Sequence, residues 1–301
     1  MNSQYVVAKF GGTSVADFEA MSRCAHIVRD NPNVRVVVVS ACAGVTNHLV
    51  TLTQQKEDEA GRKAVVAAVD NIQQAIIDQV SLDADLAEGY KQTFAEFESL
   101  ASLPALSRQQ CDEMLSFGER FSSYLFTQIL RNNRVQASRF DVRKVLKTDN
   151  QFGKANPNIT ATREAAQANL VSLLDDSVQV TQGFIGSDQY GQTTTLGRGG
   201  SDYSAALLAE AIDASSVHIW TDVVGIFSTD PRLCVNAKPI PRLSFDEAAE
   251  MATFGAKVLH PATILPASRK GISVFVGSSA IRKPVERGSK KKKRHKRVYA
   301  Q

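Results

Sequence analysis

Short apolar segments rich in β-branched residues alternate with longer helix-forming segments along most of this 301-residue chain. Continuous apolar runs of strand length are typical of strands that are buried on both faces. The predicted strands are residues 4–10, 34–40, 135–141, 178–184, 217–222 and 272–276. The predicted helices are residues 17–29, 62–80, 109–131, 160–174, 201–211, 245–251 and 261–270. This alternation predicts an α/β protein, a three-layer αβα sandwich with a mainly parallel central sheet.

Ligands in such folds bind outside the carboxyl ends of the strands, and polar loops follow three of the predicted strands. These loops begin at Lys9, Ser40 and Thr221. The turn at Gly11 and Gly12 lets backbone amides face a phosphate, while Lys9 supplies a positive charge. Lys9 taken alone is equally explained as a strand-end lysine in solvent. Neither a GxxxxGK[ST] segment nor a dinucleotide-binding fingerprint occurs in the chain.

A third glycine-rich loop, residues 195–202 with the sequence TLGRGGSD, runs directly into a predicted helix. Glycines allow a ligand to approach the backbone, and a helix start presents unpaired N–H groups and a positive dipole end. Arg198 adds a guanidinium that matches a carboxylate or a phosphate in two places. The segment therefore suits an anion, although an ordinary loop that caps an ordinary helix has the same pattern.

Cysteine, histidine and hydropathy patterns exclude several classes of protein. The four cysteines are widely spaced and the five histidines are scattered, so neither a disulfide framework nor a zinc site is indicated. The sequence shows neither a signal peptide nor an apolar run of membrane-spanning length. We therefore expect a cytoplasmic protein with no membrane partner and no metal held by a protein-only ligand cluster.

The positive net charge of +4 arises from the C-terminus. Residues 282–301 hold ten Lys and Arg against the single Glu286, so this part carries +9 and the rest about −5. Such a run can bind nucleic acid or an anionic membrane. Because the basic run at residues 290–297 contains no Phe, Tyr or Trp and no ordered pattern, we expect a disordered basic tail over residues 279–301, with nucleic acid an unlikely partner.

Five segments together resemble the aspartokinases of the amino acid kinase family, most closely the lysine-sensitive bacterial form. These segments are residues 9–15 (KFGGTSV), 40–47 (SACAGVTN), 194–202 (TTLGRGGSD), 220–223 (WTDV) and 254–261 (FGAKVLHP). The similarity runs from about Tyr5 to Ser278. It implies the carbamate kinase-like fold of that family and a catalytic domain over residues 1–278.

The resemblance implies transfer of the γ-phosphoryl group of ATP, with Mg²⁺, to the side-chain carboxylate of L-aspartate. The product would be 4-phospho-L-aspartate, the first step toward lysine, threonine and methionine. An aspartate side chain has a pKa of about 3.9, so the acceptor is already ionised at neutral pH and needs no general base. Charge neutralisation and positioning would then dominate catalysis.

Residue roles follow from the same resemblance. The implied catalytic residues are Lys9, which would stabilise the transferring phosphoryl group, and Asp202, which would help to orient Mg²⁺. The implied contacts to aspartate are Ser40, Thr46, Glu119, Arg198, Gly199, Gly200 and Ser201. The implied nucleotide contacts are Lys9, Phe10, Gly11, Gly12, Thr221, Asp222, Phe227, Arg232, Lys257 and Val258. Without the resemblance, Glu119 is explained as a solvated helix residue and Asp202 as a carboxylate that complements the helix dipole.

The chain departs from the family in two respects. Val224 and Phe227 stand where aspartokinases usually have proline and tyrosine, so a hydrogen bond to the nucleotide is in doubt. The similarity also fades after residue 279, before the regulatory ACT domains that usually follow, so feedback inhibition and a homodimer cannot be assumed. The alternatives are another amino acid kinase, or a truncated binding protein with impaired catalysis.

Overall fold

A computed structural model describes residues 4–197, 199–222, 225–229, 234, 236–253, 261–280 and 297–300. The strands are β1 (Val6–Phe10), β2 (Val34–Val39), β3 (Ala137–Arg139), β4 (Val178–Gln182), β5 (Ile185–Ser187), β6 (Thr193–Thr195), β7 (Ser216–Thr221), β8 (Arg242–Ser244), β9 (Ser273–Ser278) and β10 (Arg297–Ala300). The α-helices are α1 (Phe18–Arg29), α2 (Val45–Thr53), α3 (Glu59–Val80), α4 (Ala84–Ala101), α5 (Arg108–Asn132), α6 (Ile159–Asn169), α7 (Gly200–Ala211), α8 (Phe245–Thr253) and α9 (Pro261–Lys270). Single 3₁₀ turns span Gly12–Val15, Val142–Lys144 and Val171–Leu173.

Eight of these strands form one sheet in the order β3-β4-β2-β1-β7-β9-β10-β8. Every neighbouring pair in it is parallel except β10 and β8, while β5 and β6 form a separate antiparallel hairpin. The predicted α/β fold with a mainly parallel central sheet is therefore confirmed. Because parallel strands point the same way, the loops after β1, β2 and β7 lie along one edge of the sheet.

Alternating side chains of the central strands enter two separate cores. Ala8 and Phe10 of β1 pack with buried residues of α1 to α5 on one face, whereas Val7 packs with residues of α6 to α9 on the other. This two-residue period is that of a strand with both faces covered. It directs Lys9 toward the same face as Val7, where α7 lies.

Residues of the expected tail form part of the sheet. Arg297–Ala300 make β10, which pairs with β9 and β8, and Val298 is fully buried. The expectation of disorder is therefore wrong for these four residues, because the edge of β9 offers unpaired backbone groups that an extended segment can satisfy. The lysine run at 290–293 lies outside the described residues.

Candidate active site

A cavity of about 380 Å³ lies at the carboxyl edge of the central strands. Its walls come from β1, the segment after β2, the first turn of α2, the middle of α5 and the start of α7. It is lined by Lys9, Ser40, Thr46, Leu115, Glu119, Phe184, Gly197, Gly199, Gly200, Ser201 and Asp202. Eight of these residues were predicted as site residues from the sequence, and the fold brings them together from positions nearly two hundred residues apart.

Lys9 and Asp202 form an ion pair inside this cavity. The distance between Lys9 Nζ and Asp202 Oδ1 is 2.7 Å, and the two side chains are 11% and 23% exposed. Lys9 is near the end of β1, and Asp202 is in the first turn of α7. A partly buried carboxylate beside an ammonium group holds that group in one place more firmly than solvent would. The pair therefore fixes a positive charge at the edge of the sheet.

Glu119 is a buried carboxylate on the wall that α5 contributes. It lies on α5 and is only 7% exposed. Burial raises the pKa of Glu119 to about 8, while backbone hydrogen bonding at Ala41 and the positive charge of Lys9 act in the opposite direction. An acid that is kept from water in this way gains most from a cationic ligand group that neutralises it.

The glycine loop and the start of α7 form the third wall. Gly199 precedes the helix with a φ of +77°, a left-handed conformation that glycine adopts without strain. Gly200, Ser201 and Asp202 then make up the first turn, whose N–H groups have no partners within the helix. Such a turn suits an anion. Arg198, the predicted anion-binding side chain, lies outside the described residues.

Ser40 and Thr46 complete the cavity from the second strand-end loop. The backbone N–H of Ser40 donates to the carbonyl of Phe10 at 3.1 Å, so this loop is attached to the end of β1. Thr46 is in the first turn of α2. The two hydroxyl-bearing residues therefore face the same cavity as Lys9.

Of the predicted nucleotide residues, Lys9 lines this cavity, whereas Phe10, Gly11, Thr221 and Asp222 lie outside its lining. The Gly11 N–H donates to the carbonyl of Trp220 at 3.2 Å, which places the first glycine turn next to the end of β7. There the hydroxyl of Thr221 donates to Asp222 Oδ1 at 2.9 Å. The Phe10 ring is fully buried against Phe126 and Trp220, so only the backbone of Phe10 is available to a ligand.

Of the remaining nucleotide contacts expected from the sequence, Phe227 and Arg232 follow β7 in the chain, and Lys257 and Val258 follow α8. Phe227 is half-buried and forms an isolated bridge with Pro239. Arg232, Lys257 and Val258 lie outside the described residues.

Three lining residues were not predicted as site residues. Leu115 precedes Glu119 by one helical turn on α5, so the helical period is the signal that points to it. Phe184 follows β4 and has a φ of +70°, an unusual conformation for a bulky residue. The predicted strand ends at Phe184, whereas β4 ends at Gln182, so this residue lies in the loop rather than in the strand. Gly197 belongs to the predicted anion-binding segment.

The part of the chain that the structure describes contains no group of three or more His, Cys, Asp or Glu side chains arranged to hold a metal ion. Within the same residues, no helix is both long and apolar enough to cross a membrane.

Comparison with known proteins identifies relatives of this chain. The model of the amino acid kinase family matches residues 4–278. The chain is 54% identical to lysine-sensitive aspartokinase 3 of Escherichia coli K12 over 92% of its own length and 62% of that protein. It is 36% identical to an aspartokinase of Chlamydia pneumoniae, over 91% of the chain and 60% of that protein. It thus spans about six tenths of these relatives.

Solved structures agree with the sequence comparison. The crystal structure of E. coli aspartokinase III in complex with aspartate and ADP superposes with a TM-score of 0.87. That match has 53% identity and covers 92% of this chain and 62% of the other.

Proposed function

This chain belongs to the amino acid kinase family, and from that premise we propose that it transfers the γ-phosphoryl group of ATP to the side-chain carboxylate of L-aspartate. The observation that carries the proposal is a cavity in which Lys9 of β1 forms an ion pair with Asp202 of α7, next to buried Glu119 of α5 and a glycine loop. Relatives named aspartokinases, and a similar structure that holds aspartate and ADP, support the choice of substrates.

The acceptor is bound through its α-amino and α-carboxylate groups. Glu119 pairs with the ammonium group, which neutralises a carboxylate that the protein otherwise keeps from water. Arg198 and the backbone of Gly199, Gly200 and Ser201 bind the α-carboxylate, with Ser40 and Thr46 as further contacts. The side-chain carboxylate then points to the remaining wall, where Lys9 lies.

Phosphoryl transfer takes place at that wall. An oxygen of the aspartate side chain forms a bond to the γ-phosphorus while the bond between this phosphorus and the β,γ-bridging oxygen breaks, and ADP leaves. Lys9 stabilises the negative charge that spreads over the phosphoryl oxygens, and Asp202 holds Lys9 in place. The acceptor is ionised at neutral pH, so no general base is required.

Asp202 would help to hold a Mg²⁺ ion that accompanies the nucleotide. The cavity offers one carboxylate beside Lys9, that of Asp202, which fits an ion that is held mainly by phosphates and water. Bound Mg²⁺ supplies charge neutralisation of the phosphates. The nucleotide itself is bound by the turn at Gly11 and Gly12 and by the segment after β7. Its side-chain contacts are Thr221, Asp222, Phe227, Arg232, Lys257 and Val258.

The cellular role follows from the proposed reaction. We assign residues 1–278 to the catalytic domain and place the activity in the cytoplasm, in amino acid and lysine biosynthesis.

The buried thiols of Cys24 and Cys42 are free, and burial raises their pKa to about 12 and about 11, so they are inert rather than catalytic.

Trapping of the acyl phosphate tests the proposal. The protein is incubated with Mg·ATP, hydroxylamine and one acceptor at a time, and hydroxamate and ADP are measured. L-Aspartate should give both products, whereas N-acetyl-L-aspartate should give neither because it offers no ammonium group to Glu119. Equal yields from these two acceptors, or no hydroxamate from L-aspartate, would contradict the proposed function.

A further inference from the structure

Asp112 is a buried carboxylate that lies outside the cavity but on the helix that carries Glu119. It is 2% exposed and has no role in the reaction proposed above. Asp112, Leu115 and Glu119 are spaced by three and four residues, so they share one face of α5. Leu115 and Glu119 line the cavity, and Asp112 continues the same face one turn further toward the start of the helix.

Both carboxylate oxygens of Asp112 accept hydrogen bonds from distant segments. Asp112 Oδ2 accepts from the backbone N–H of Thr195 at 2.8 Å and of Gly153 at 3.0 Å. Asp112 Oδ1 accepts from the Thr195 hydroxyl at 3.0 Å. All three donors are neutral groups, and Thr195 is itself 1% exposed. Burial raises the pKa of Asp112, so the protein keeps this carboxylate at a cost that the hydrogen bonds offset.

Thr195 is the last residue of β6, immediately before the glycine loop. The Thr195 carbonyl accepts from the N–H of Ala155 at 2.8 Å, which attaches the loop containing Gly153 to the same strand. Two residues later, Gly197 begins the lining of the cavity, and its carbonyl accepts from the N–H of Gly200 at 3.0 Å. The contact between Asp112 and Thr195 therefore joins the helix that carries Glu119 to the strand that carries the glycine loop.

We propose that Asp112 is a positioning residue that fixes the distance between Glu119 and the glycine loop, and thereby the affinity for the acceptor amino acid. The inference rests on the proposed binding of the acceptor amino acid by Glu119 and the glycine loop. A ligand bound at both ends gains affinity only when the walls are held at the correct separation before it arrives. Asp112 touches no reacting atom, so its removal should weaken acceptor binding much more than it slows the chemical step.

The test compares Asp112→Ala with Asp112→Asn, using steady-state kinetics and amide hydrogen exchange. Asparagine has the same shape: its Oδ1 can accept both backbone N–H groups, and its Nδ2 can donate to the Thr195 hydroxyl. We expect Asp112→Ala to raise the KM for aspartate about tenfold with kcat and the KM for ATP within about twofold, and Asp112→Asn to restore the wild-type values. In the free protein, residues 193–201 of Asp112→Ala should exchange about tenfold faster.

Two further variants make the test decisive if Asp112→Ala fails to fold. Thr195→Val removes one of the three hydrogen bonds at nearly constant volume and should raise the KM for aspartate about threefold. Thr162→Val is the matched control, because Thr162 is equally buried and its hydroxyl accepts from the backbone N–H of Lys147, away from the cavity. It should leave the KM for aspartate unchanged.

The proposal is overturned if Asp112→Ala or Thr195→Val leaves both the KM and the exchange rate unchanged, or if Asp112→Asn is as impaired as Asp112→Ala. Hydrogen exchange does not depend on the identity of the substrate. If wild-type protein forms no aspartyl hydroxamate while residues 193–201 still exchange faster in Asp112→Ala and normally in Asp112→Asn, the proposed substrate fails and the positioning role stands.

Discussion

The proposed acceptor half and the proposed nucleotide half of the site are built differently. In the acceptor half, Glu119 is 7% exposed and the Lys9 side chain is 11% exposed, so charged groups are held in a cavity. In the nucleotide half, Thr221 is half-buried and Asp222 exposed at the end of β7. A buried charged group discriminates strongly between ligands because an unsuitable ligand leaves the charge without a partner. An exposed group that loses a ligand contact forms a hydrogen bond to water instead. The acceptor half should therefore determine specificity.

Loss of Lys9 should have the largest effect of any change in the cavity. Lys9→Ala removes the positive charge that faces the transferring phosphoryl group, so kcat should fall about 10³-fold while the KM for aspartate changes little. Hydroxamate formation under steady-state conditions measures both values. Lys147→Ala removes another hydrogen-bonded lysine outside the cavity and should keep wild-type kcat. Normal kcat in Lys9→Ala would show that the phosphoryl group lies elsewhere.

Neutralisation of Glu119 should instead act on binding. Glu119→Gln removes the charge that pairs with the acceptor ammonium group, so the KM for aspartate should rise about 10²-fold. The control is Glu113→Gln on the same helix, because Glu113 pairs with Arg120 rather than lining the cavity. If Glu119→Gln lowered kcat without changing the KM for aspartate, the assignment of Glu119 to acceptor binding would be wrong.

The raised pKa of Glu119 predicts a pH dependence of acceptor affinity. Below a pKa of about 8 the free carboxyl is mostly protonated, and it must lose its proton before it can pair with an ammonium group. Aspartate affinity should therefore increase with pH, by roughly 50-fold between pH 6 and pH 8. Calorimetric titration measures this change, and Glu119→Gln should show a much flatter profile. Affinity that decreases with pH over this range would contradict the assignment.

A close contact behind the glycine loop should have a smaller effect. A Cβ atom on Gly183 would lie 2.6 Å from Ser201 Cβ and 2.9 Å from Ser201 Cα, so Gly183→Ala must displace the first turn of α7. We expect a rise in the KM for aspartate of about tenfold, from overpacking of a filled region. The contact at Gly183 would be unimportant for the acceptor if that KM stayed at its wild-type value.

The nucleotide half should respond least to substitution. Phe227→Tyr adds one hydroxyl at a half-buried position in the segment after β7. If that hydroxyl contacts the nucleotide, the Kd for ATP should decrease about fivefold, the value of one hydrogen bond. Equilibrium binding measures the change, and an unaltered Kd would remove Phe227 from the nucleotide site.

Sequence patterns a few residues long were sufficient to predict the central strands and the loops that follow them. Apolar runs located the central strands, and the polar loops after them located Lys9, Ser40 and Thr46, because chain direction alone places strand ends at one edge. Glu119 depended on resemblance, since one glutamate on a helix has no distinctive pattern. The hydrogen bonds between Asp112 and Thr195 join residues 83 positions apart, and no local period encodes such a pair.

Helix α4 and strand β10 are missing from the predicted elements for different reasons. Helix α4 is absent from the predicted helices, although Leu86, Tyr90 and Phe97 recur at helical spacing on its buried face. Its Phe97 ring packs against Phe117 and Phe121 of α5. Strand β10 forms within a segment whose composition favours disorder, because β9 provides a pairing edge. A tertiary contact therefore decides the formation of β10, and the sequence alone does not show that contact.

The position of the phosphoryl group on the product tests the central claim most directly, because the two walls orient the acceptor in one direction. The hydroxamate formed from L-aspartate, Mg·ATP and hydroxylamine can be identified by nuclear magnetic resonance and mass spectrometry. With the α-amino and α-carboxylate groups held by Glu119 and the glycine loop, only the side-chain carboxylate reaches Lys9, so the account predicts the β-hydroxamate. Formation of the α-hydroxamate would contradict it.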